Sequence, residues 1–285
     1  MEVNMYRSLG PGAVGVRLPW MECLPLARAG GFEGIEVSID PAVPAAAVRE
    51  ALEGQNLRPG GTGLPLNFRD DGAKFEQGLA ALPGIAKRAA EIGVTRFSTW
   101  ILSFSDSRPY KENFRFHAER LGRAARVLAE HGGRLGLEFL GPKTIRVGHK
   151  YPFVRTMEQM LELCEACGPN AGLLLDAWHW YTSLGTVEDI LALESKQVVH
   201  VHINDAPAGV PLDQQKDNVR DLPGETGVID LAGFLGALRK IGYDGPVMPE
   251  PFKKDLASLP PADAVRRAGE AMARVWTPSR GAAKP

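Results

Sequence analysis

Cysteine is scarce: the 285-residue chain holds three, Cys23, Cys164 and Cys167. An odd, low count in a chain this long argues against a disulfide framework and suits a reducing cytoplasm. Charge of one sign is lacking too. The formal net charge is −1, so no global field recruits nucleic acid or an anionic membrane, and a nucleic-acid role would need a local basic patch. No window of eighteen apolar residues exists, so no membrane span is predicted. Residues 1–10 carry Glu2 and Arg7 without an apolar core and do not read as a secretory signal. No linker or low-complexity stretch divides the chain. The expectation is one unit over residues 1–276 with a frayed, small and polar tail at 277–285. Cys164 and Cys167 form a C-x-x-C, but no second pair follows and no thioredoxin-like context surrounds them. Packing at a helix end is their expected role.

What is present is an alternation. Hydrophobic residues make up 44% of the chain, enough for a substantial core. Short β-rich runs at 13–18, 34–39, 58–66, 96–102, 135–140, 172–177, 198–204 and 246–251 alternate with segments of three-to-four-residue apolar spacing. The clearest helical segment is 114–131, where Leu121, Ala124, Ala125 and Leu128 share one face and Glu119, Arg123, Arg126 and Glu130 the other. Several helices end in glycine: Gly30, Gly93, Gly132 and Gly242. Eight strands alternating with helices imply a parallel sheet, and eight is the count at which such a sheet closes into a (β/α)8 barrel. The competing α/β arrangement is an open doubly wound sheet. Residues 10–15 (GPGAVG) match G-x-G-x-x-G as letters, but they read as a loop entering the first strand rather than one opening a helix, so no dinucleotide site is expected.

Four residues carry a carboxylate or an imidazole into apolar β runs: Glu138, Asp176, His202 and Glu250. They lie near the ends of the fifth to eighth candidate strands. A buried, unpaired carboxylate costs several kcal/mol or takes up a proton. Three of them beside a histidine in one small space would repel one another severely, and a divalent cation turns that repulsion into binding. The bland alternative is four unrelated polar residues, each hydrogen-bonded on its own; their equivalent strand positions argue against it. Three oxygen donors and one nitrogen suit Mn²⁺ first, then Mg²⁺ or Co²⁺, ahead of Zn²⁺.

This constellation resembles the xylose isomerase-like barrel superfamily, the sugar isomerase and epimerase group that also includes the endonuclease IV branch. The resemblance runs over nearly the whole chain. Its most specific pieces are residues 173–179 (LLLDAWH), 200–205 (HVHIND), 220–225 (RDLPGE) and 242–250 (GYDGPVMPE). It implies that Glu138, Asp176, His202 and Glu250 bind the metal, that the two glutamates also serve as acid and base, and that His179 and Arg220 contact the substrate. The chain departs from parts of the superfamily. Its fourth strand offers Trp100 and no histidine, and the first three strands supply none. Endonuclease IV needs a histidine-rich zinc cluster, whereas this chain has six histidines, of which only His179, His200 and His202 lie near the expected site. DNA repair is therefore disfavoured.

Proton removal next to a carbonyl gives an enediolate, which a metal stabilises and a carboxylate can form and quench. Glu138 and Glu250 are the candidates. The reaction left open is epimerisation, aldose–ketose isomerisation, or loss of a β-hydroxyl as in a dehydratase acting on an inosose-like or keto-sugar substrate. A non-catalytic sugar-binding barrel is the alternative from another class. Two long loops, 141–151 and 206–228, leave the catalytic face, where barrel specificity resides. Lys143 and Trp100 are further candidate substrate contacts, while Arg146 and Lys150 read as solvated charge. His200, two residues from His202 on the same strand face, is expected a layer deeper in a structural or supporting role. Asn204 and Asp205 either orient His202 or begin the next loop. The expected partner is a small carbohydrate, not nucleic acid or membrane. A homo-oligomer formed through the outer helices is compatible with the sequence, but no single apolar stripe marks an interface.

Overall fold

The computed structural model describes residues 5–276 apart from residue 70; the expected tail at 277–285 lies outside the described residues. The sheet is parallel throughout and built from β1 (Tyr6–Leu9), β2 (Gly34–Ile35), β3 in two pieces (Arg58–Pro59 and Thr62–Gly63), β4 (Arg96–Ile101), β5 (Arg134–Phe139), β6 (Ala171–Asp176), β7 (Val198–Ile203) and β8 (Pro246–Pro249). Each strand pairs with its neighbours in chain order, and β8 pairs with β1. The first piece of β3 pairs with β2 and the second with β4. The two ends of the hydrogen-bonded order are therefore one extended segment, broken at Gly60 and Gly61, and the ring closes as a (β/α)8 barrel.

That break has a steric cause. A Cβ on Gly60 would lie 2.9 Å from the carbonyl carbon of Ile35, and Gly61 takes φ +107° with His200 Nδ1 3.2 Å from where its Cβ would sit. Only glycine lets the third strand turn the corner so close to β2 and to the barrel interior. The strands β6 and β7 are buried almost residue for residue, because helices cover their outer faces while the barrel fills from within. Helix Tyr110–Ala129 presents Leu121, Ala124, Ala125 and Leu128 to the core, all fully buried. Helix Gly72–Ile92 ends on Gly93, whose left-handed φ of +95° turns its N–H back onto Ala89 and Ala90. Helix Pro261–Trp276 packs beside Trp20–Ala29, where Gly269 meets the backbone of Gly30.

The first strand corrects the sequence reading. It is Tyr6–Leu9, not 13–18, so the glycine-rich loop leaves the C-terminal end of the first strand instead of entering it. Residues Gly12–Val14 form a 3-10 turn. Val14 and Val16 alternate like a strand because both are buried in the core, and two-residue alternation alone cannot separate that from a β ladder. All three cysteines are buried and free. Cys164 and Cys167 lie on the last turns of helix Met157–Cys167, and burial pushes the Cys167 thiol up to about 12.

Candidate metal centre

The strand ladder brings the four expected residues together. His202 on β7 stands in register with Asp176, the last residue of β6, and with Met248 on β8. Glu250 follows β8 directly, its N–H bonded to the Ile203 carbonyl. Glu138 is the penultimate residue of β5, level with Trp100 on β4. One ligand atom from each of Glu138, Asp176, His202 and Glu250 lies within 4.8 Å of all the others.

Each ligand is held differently. Asp176 caps helix Ala177–Thr182, its Oδ1 accepting from Trp178 N at 2.7 Å and from Asn204 Nδ2 at 3.0 Å. Asp176 Oδ2 faces the cluster and accepts from Arg220 Nη1 at 2.8 Å. Glu250 Oε2 accepts from the same Arg220 nitrogen at 3.0 Å. His202 Nδ1 lies 3.4 Å from Glu250 Oε2, 3.7 Å from Glu138 Oε1 and 4.0 Å from Asp176 Oδ2. Two atoms of this set, Glu138 Oε1 and His202 Nδ1, are buried without any hydrogen-bond partner. Buried polar atoms are rarely left so, and both stranded atoms point at the same place. The donor set and its gap fit a divalent cation.

The electrostatics agree. Burial pushes the Glu138 carboxyl up to about 8, with Glu250 and Asp176 adding to the effect. For His202, burial opposes protonation, but the charges of Glu250 and Glu138 outweigh it and hold the imidazole well above its usual value. Burial would raise Glu250 too, yet His202 and Arg220 overcome it and keep the carboxyl below the usual range. Protons thus relieve here the repulsion that a divalent cation would relieve.

Around the cluster a cavity of about 500 Å³ is lined by Trp100, Leu102, Glu138, Leu140, His179, Asp217, Arg220, Glu250 and Phe252. His179 is fully enclosed, and burial holds it down to about 3, so it is neutral. Gly141 N donates to His179 Nδ1 at 3.2 Å. His179 Nε2 faces Arg220 Nη2 at 3.3 Å, with Asp217 Oδ1 at 3.7 Å and Glu138 Oε1 at 4.0 Å. Arg220 is clamped by Asp217, with Nε on its carbonyl and Nη2 on its Oδ1, both at 2.8 Å. The guanidinium lies 4.8 Å from the ring centre of Phe252 and 5.4 Å from that of Trp178.

Of the sequence candidates, His179, Arg220 and Trp100 reach the cavity. Trp100 is 45% exposed, with the Arg69 guanidinium 4.0 Å from its ring centre. Lys143 does not reach it, and that expectation is corrected. It begins the short helix Lys143–Arg146 and its ammonium bonds Asp213 Oδ2 at 2.6 Å, tying the loop after β5 to the loop after β7. Arg146 caps the Gly141 carbonyl at 2.7 Å. His200 lies below His202, edge-on to its ring with centroids 5.0 Å apart, and burial keeps it well below its usual value. Asp205 does not orient His202. Its carboxylate is taken by the N–H groups of Ala206, Thr226, Gly227 and Ile229, at 2.7–3.1 Å, and so fixes the loop that carries Arg220. Asn204 supports Asp176 and the Glu250 carbonyl instead.

Sequence reasoning missed Asp217 and Phe252. Asp217 sits three residues before Arg220 on an acidic loop, and nothing in its spacing separates it from solvated neighbours. Phe252 takes a left-handed φ of +43°, a costly conformation for a bulky residue that is tolerated most often at functional sites. Only the backbone reveals it.

A sequence profile described as xylose isomerase-like TIM barrel matches residues 24–275. The chain is 30% identical over 154 residues to an inosose isomerase of Bacillus velezensis, covering 54% of this chain and 52% of that protein. It therefore spans about half the length of that relative. An inosose dehydratase of Bacillus licheniformis is 27% identical over 236 residues, 77% of this chain and 76% of that protein. Among solved structures, a xylose isomerase domain protein from Alicyclobacillus acidocaldarius superposes with a TM-score of 0.86 at 29% identity, covering 98% of this chain and all of that one. The IOLI protein, solved with a bound zinc atom, superposes with a TM-score of 0.79 at 21% identity, over 95% of this chain and 98% of that one, and shares the fold.

Proposed function

The chain belongs to the xylose isomerase-like TIM barrel family, and from that premise we propose that it is a divalent-metal-dependent isomerase or epimerase of a sugar, a keto-sugar or a cyclic polyol. The observation that carries the reading is the pair of stranded atoms, Glu138 Oε1 and His202 Nδ1, within three carboxylates and an imidazole beside a cavity of sugar size. A divalent ion held by Glu138, Asp176, His202 and Glu250 would supply Lewis-acid stabilisation for the charge that develops on an enediolate. The oxygen-rich donor set favours Mn²⁺, with Mg²⁺, Co²⁺ and Zn²⁺ as alternatives.

The remaining chemistry belongs to the chain. Glu138 and Glu250 both border the cavity, and two carboxyl groups at one substrate carbon suit an acid and a base. One of the two removes a proton from the carbon next to the carbonyl, and the other delivers one. Delivery to the opposite face of that carbon gives the epimer, and delivery to the neighbouring carbon the aldose or ketose isomer. His179, whose Nε2 lies 3.3 Å from Arg220 Nη2, borders the cavity beside it and contacts a substrate oxygen there. Arg220 orients the carboxylates and presents its outer edge to the cavity. Trp100 and Phe252 give the C–H face of a sugar or cyclitol an apolar wall.

The dehydratase relative supports a second reading, in which the same enediolate expels a β-hydroxyl. One experiment tests both. Mn²⁺-loaded protein is incubated in D₂O with a panel of inososes and ketoses. Isomerisation or epimerisation introduces deuterium beside the carbonyl without new ultraviolet absorbance, and dehydration produces a conjugated enone. Absence of both, with metal bound, would exclude the two readings and leave a sugar-binding barrel.

A further inference from the structure

The guanidinium of Arg220 touches the ligand cluster itself. Its Nη1 donates to Asp176 Oδ2 and Glu250 Oε2, the two oxygens of those residues that face His202 Nδ1. A cation seated among the four ligand atoms must therefore share both oxygens with a permanent positive charge. Arg220 is not free to swing clear. Asp217 holds its Nε and Nη2, the rings of Phe252 and Trp178 flank it, and its side chain is 1% exposed.

We propose that Arg220 is the resident counter-ion of this centre: it holds the carboxylates together in the metal-free protein and weakens their grip on a divalent cation. The inference rests on the metal-site reading above. Removing the guanidinium has two effects of opposite sign. Loss of its hydrogen bonds could let the ligands drift, and loss of its charge removes repulsion toward the incoming ion. The second effect dominates here because the ligands have other anchors. Asp176 keeps Trp178 N and Asn204 Nδ2 on Oδ1, and the Glu250 backbone stays tied to Ile203 O and Asn204 Nδ2. Asp217 should act in the opposite direction, since its carboxylate screens the guanidinium from outside the cluster.

The test is titration of the metal-stripped full chain with Mn²⁺ alone by calorimetry, paired with thermal melting without metal. Arg220→Gln should bind Mn²⁺ about tenfold tighter than wild type, about 1.4 kcal/mol, and melt at a lower temperature when stripped. Arg220→Lys, which keeps the charge, should bind Mn²⁺ close to wild-type affinity. Asp217→Asn should bind it several-fold more weakly. If wild type binds Mn²⁺ while Arg220→Gln binds it equally or less tightly, the counter-ion role is overturned and the metal site stands. If wild type binds none, the metal site itself fails, and the inference with it. Should Arg220→Gln not fold, Asp217→Asn decides: unchanged or tighter binding overturns the inference.

Discussion

Replacing Glu138 by glutamine should stabilise the metal-free protein at pH 8 while abolishing its response to metal. Raising this buried carboxyl from 4.5 to about 8 costs the folded protein up to about 5 kcal/mol once it must ionise. His202 Nδ1 lies 3.7 Å from Glu138 Oε1 and draws on the same proton, so less than half of that cost, on the order of 2 kcal/mol, is expected to be relieved by replacing Glu138 alone. Below pH 4.5 the carboxyl is protonated in both folded and unfolded chains and contributes no difference. Between about 4.5 and 8 the unfolded chain has released this proton and the folded chain keeps it, so stability falls as pH rises. His202, also raised, acts in the same direction: its contribution is complete below 6.5 and lost as pH climbs toward its folded value. His179 and His200, lowered by burial, give the opposite slope, but only below 6.5. The window to follow is therefore pH 6.5–8. With 285 residues the unfolding entropy is about 0.6 kcal/mol/K, so 2 kcal/mol raises Tm by about 3 °C. Mn²⁺ at a hundredfold excess over its Kd should add about 2.7 kcal/mol to wild type and nothing to the variant. Melting followed by circular dichroism, with chelator and with Mn²⁺, measures all of this. A metal-free variant that melts below wild type at pH 8, or that keeps the wild-type slope between pH 6.5 and 8, would refute the reasoning.

Gly60→Val should cost about 1–3 kcal/mol in urea unfolding, because its Cβ would press on the Ile35 backbone where the barrel closes; an unchanged midpoint would mean that the third strand is not pinned there. Asp205→Ala leaves four backbone N–H groups of the loop after β7 without their shared acceptor. A loss of about 3 kcal/mol and faster proteolysis within 206–228 are expected, and a protease pattern like wild type would count against this role. Lys143→Ala removes an exposed pair with Asp213, so it should change stability by less than about 1 kcal/mol and leave Mn²⁺ affinity unchanged. A large loss of affinity would return Lys143 to the site.

Much of the centre was readable before folding because charge in a strand is conspicuous. Glu138, Asp176, His202 and Glu250 interrupt apolar runs at matching ends of four consecutive strands, and a parallel ladder has to bring such positions together. The helix faces were equally plain, since three-to-four-residue apolar spacing has one structural meaning over twenty residues, as in Tyr110–Ala129. Where local pattern has two meanings it misled: Val14 and Val16 alternate, yet they bury in the core from a loop rather than pair in the sheet.

What the sequence by itself determined is the alternation that makes a barrel and the four residues that gather at one end of it as a candidate metal centre, because both depend on period and residue type along the chain. Only the tertiary structure decided the surroundings. Lys143 turned to Asp213, Asp205 to the backbone of its own loop, and Asp217 and Phe252 inward against Arg220. Those outcomes depend on where loops after different strands meet, and a loop side chain's direction is set by contacts with residues distant in sequence rather than by any periodicity of its own.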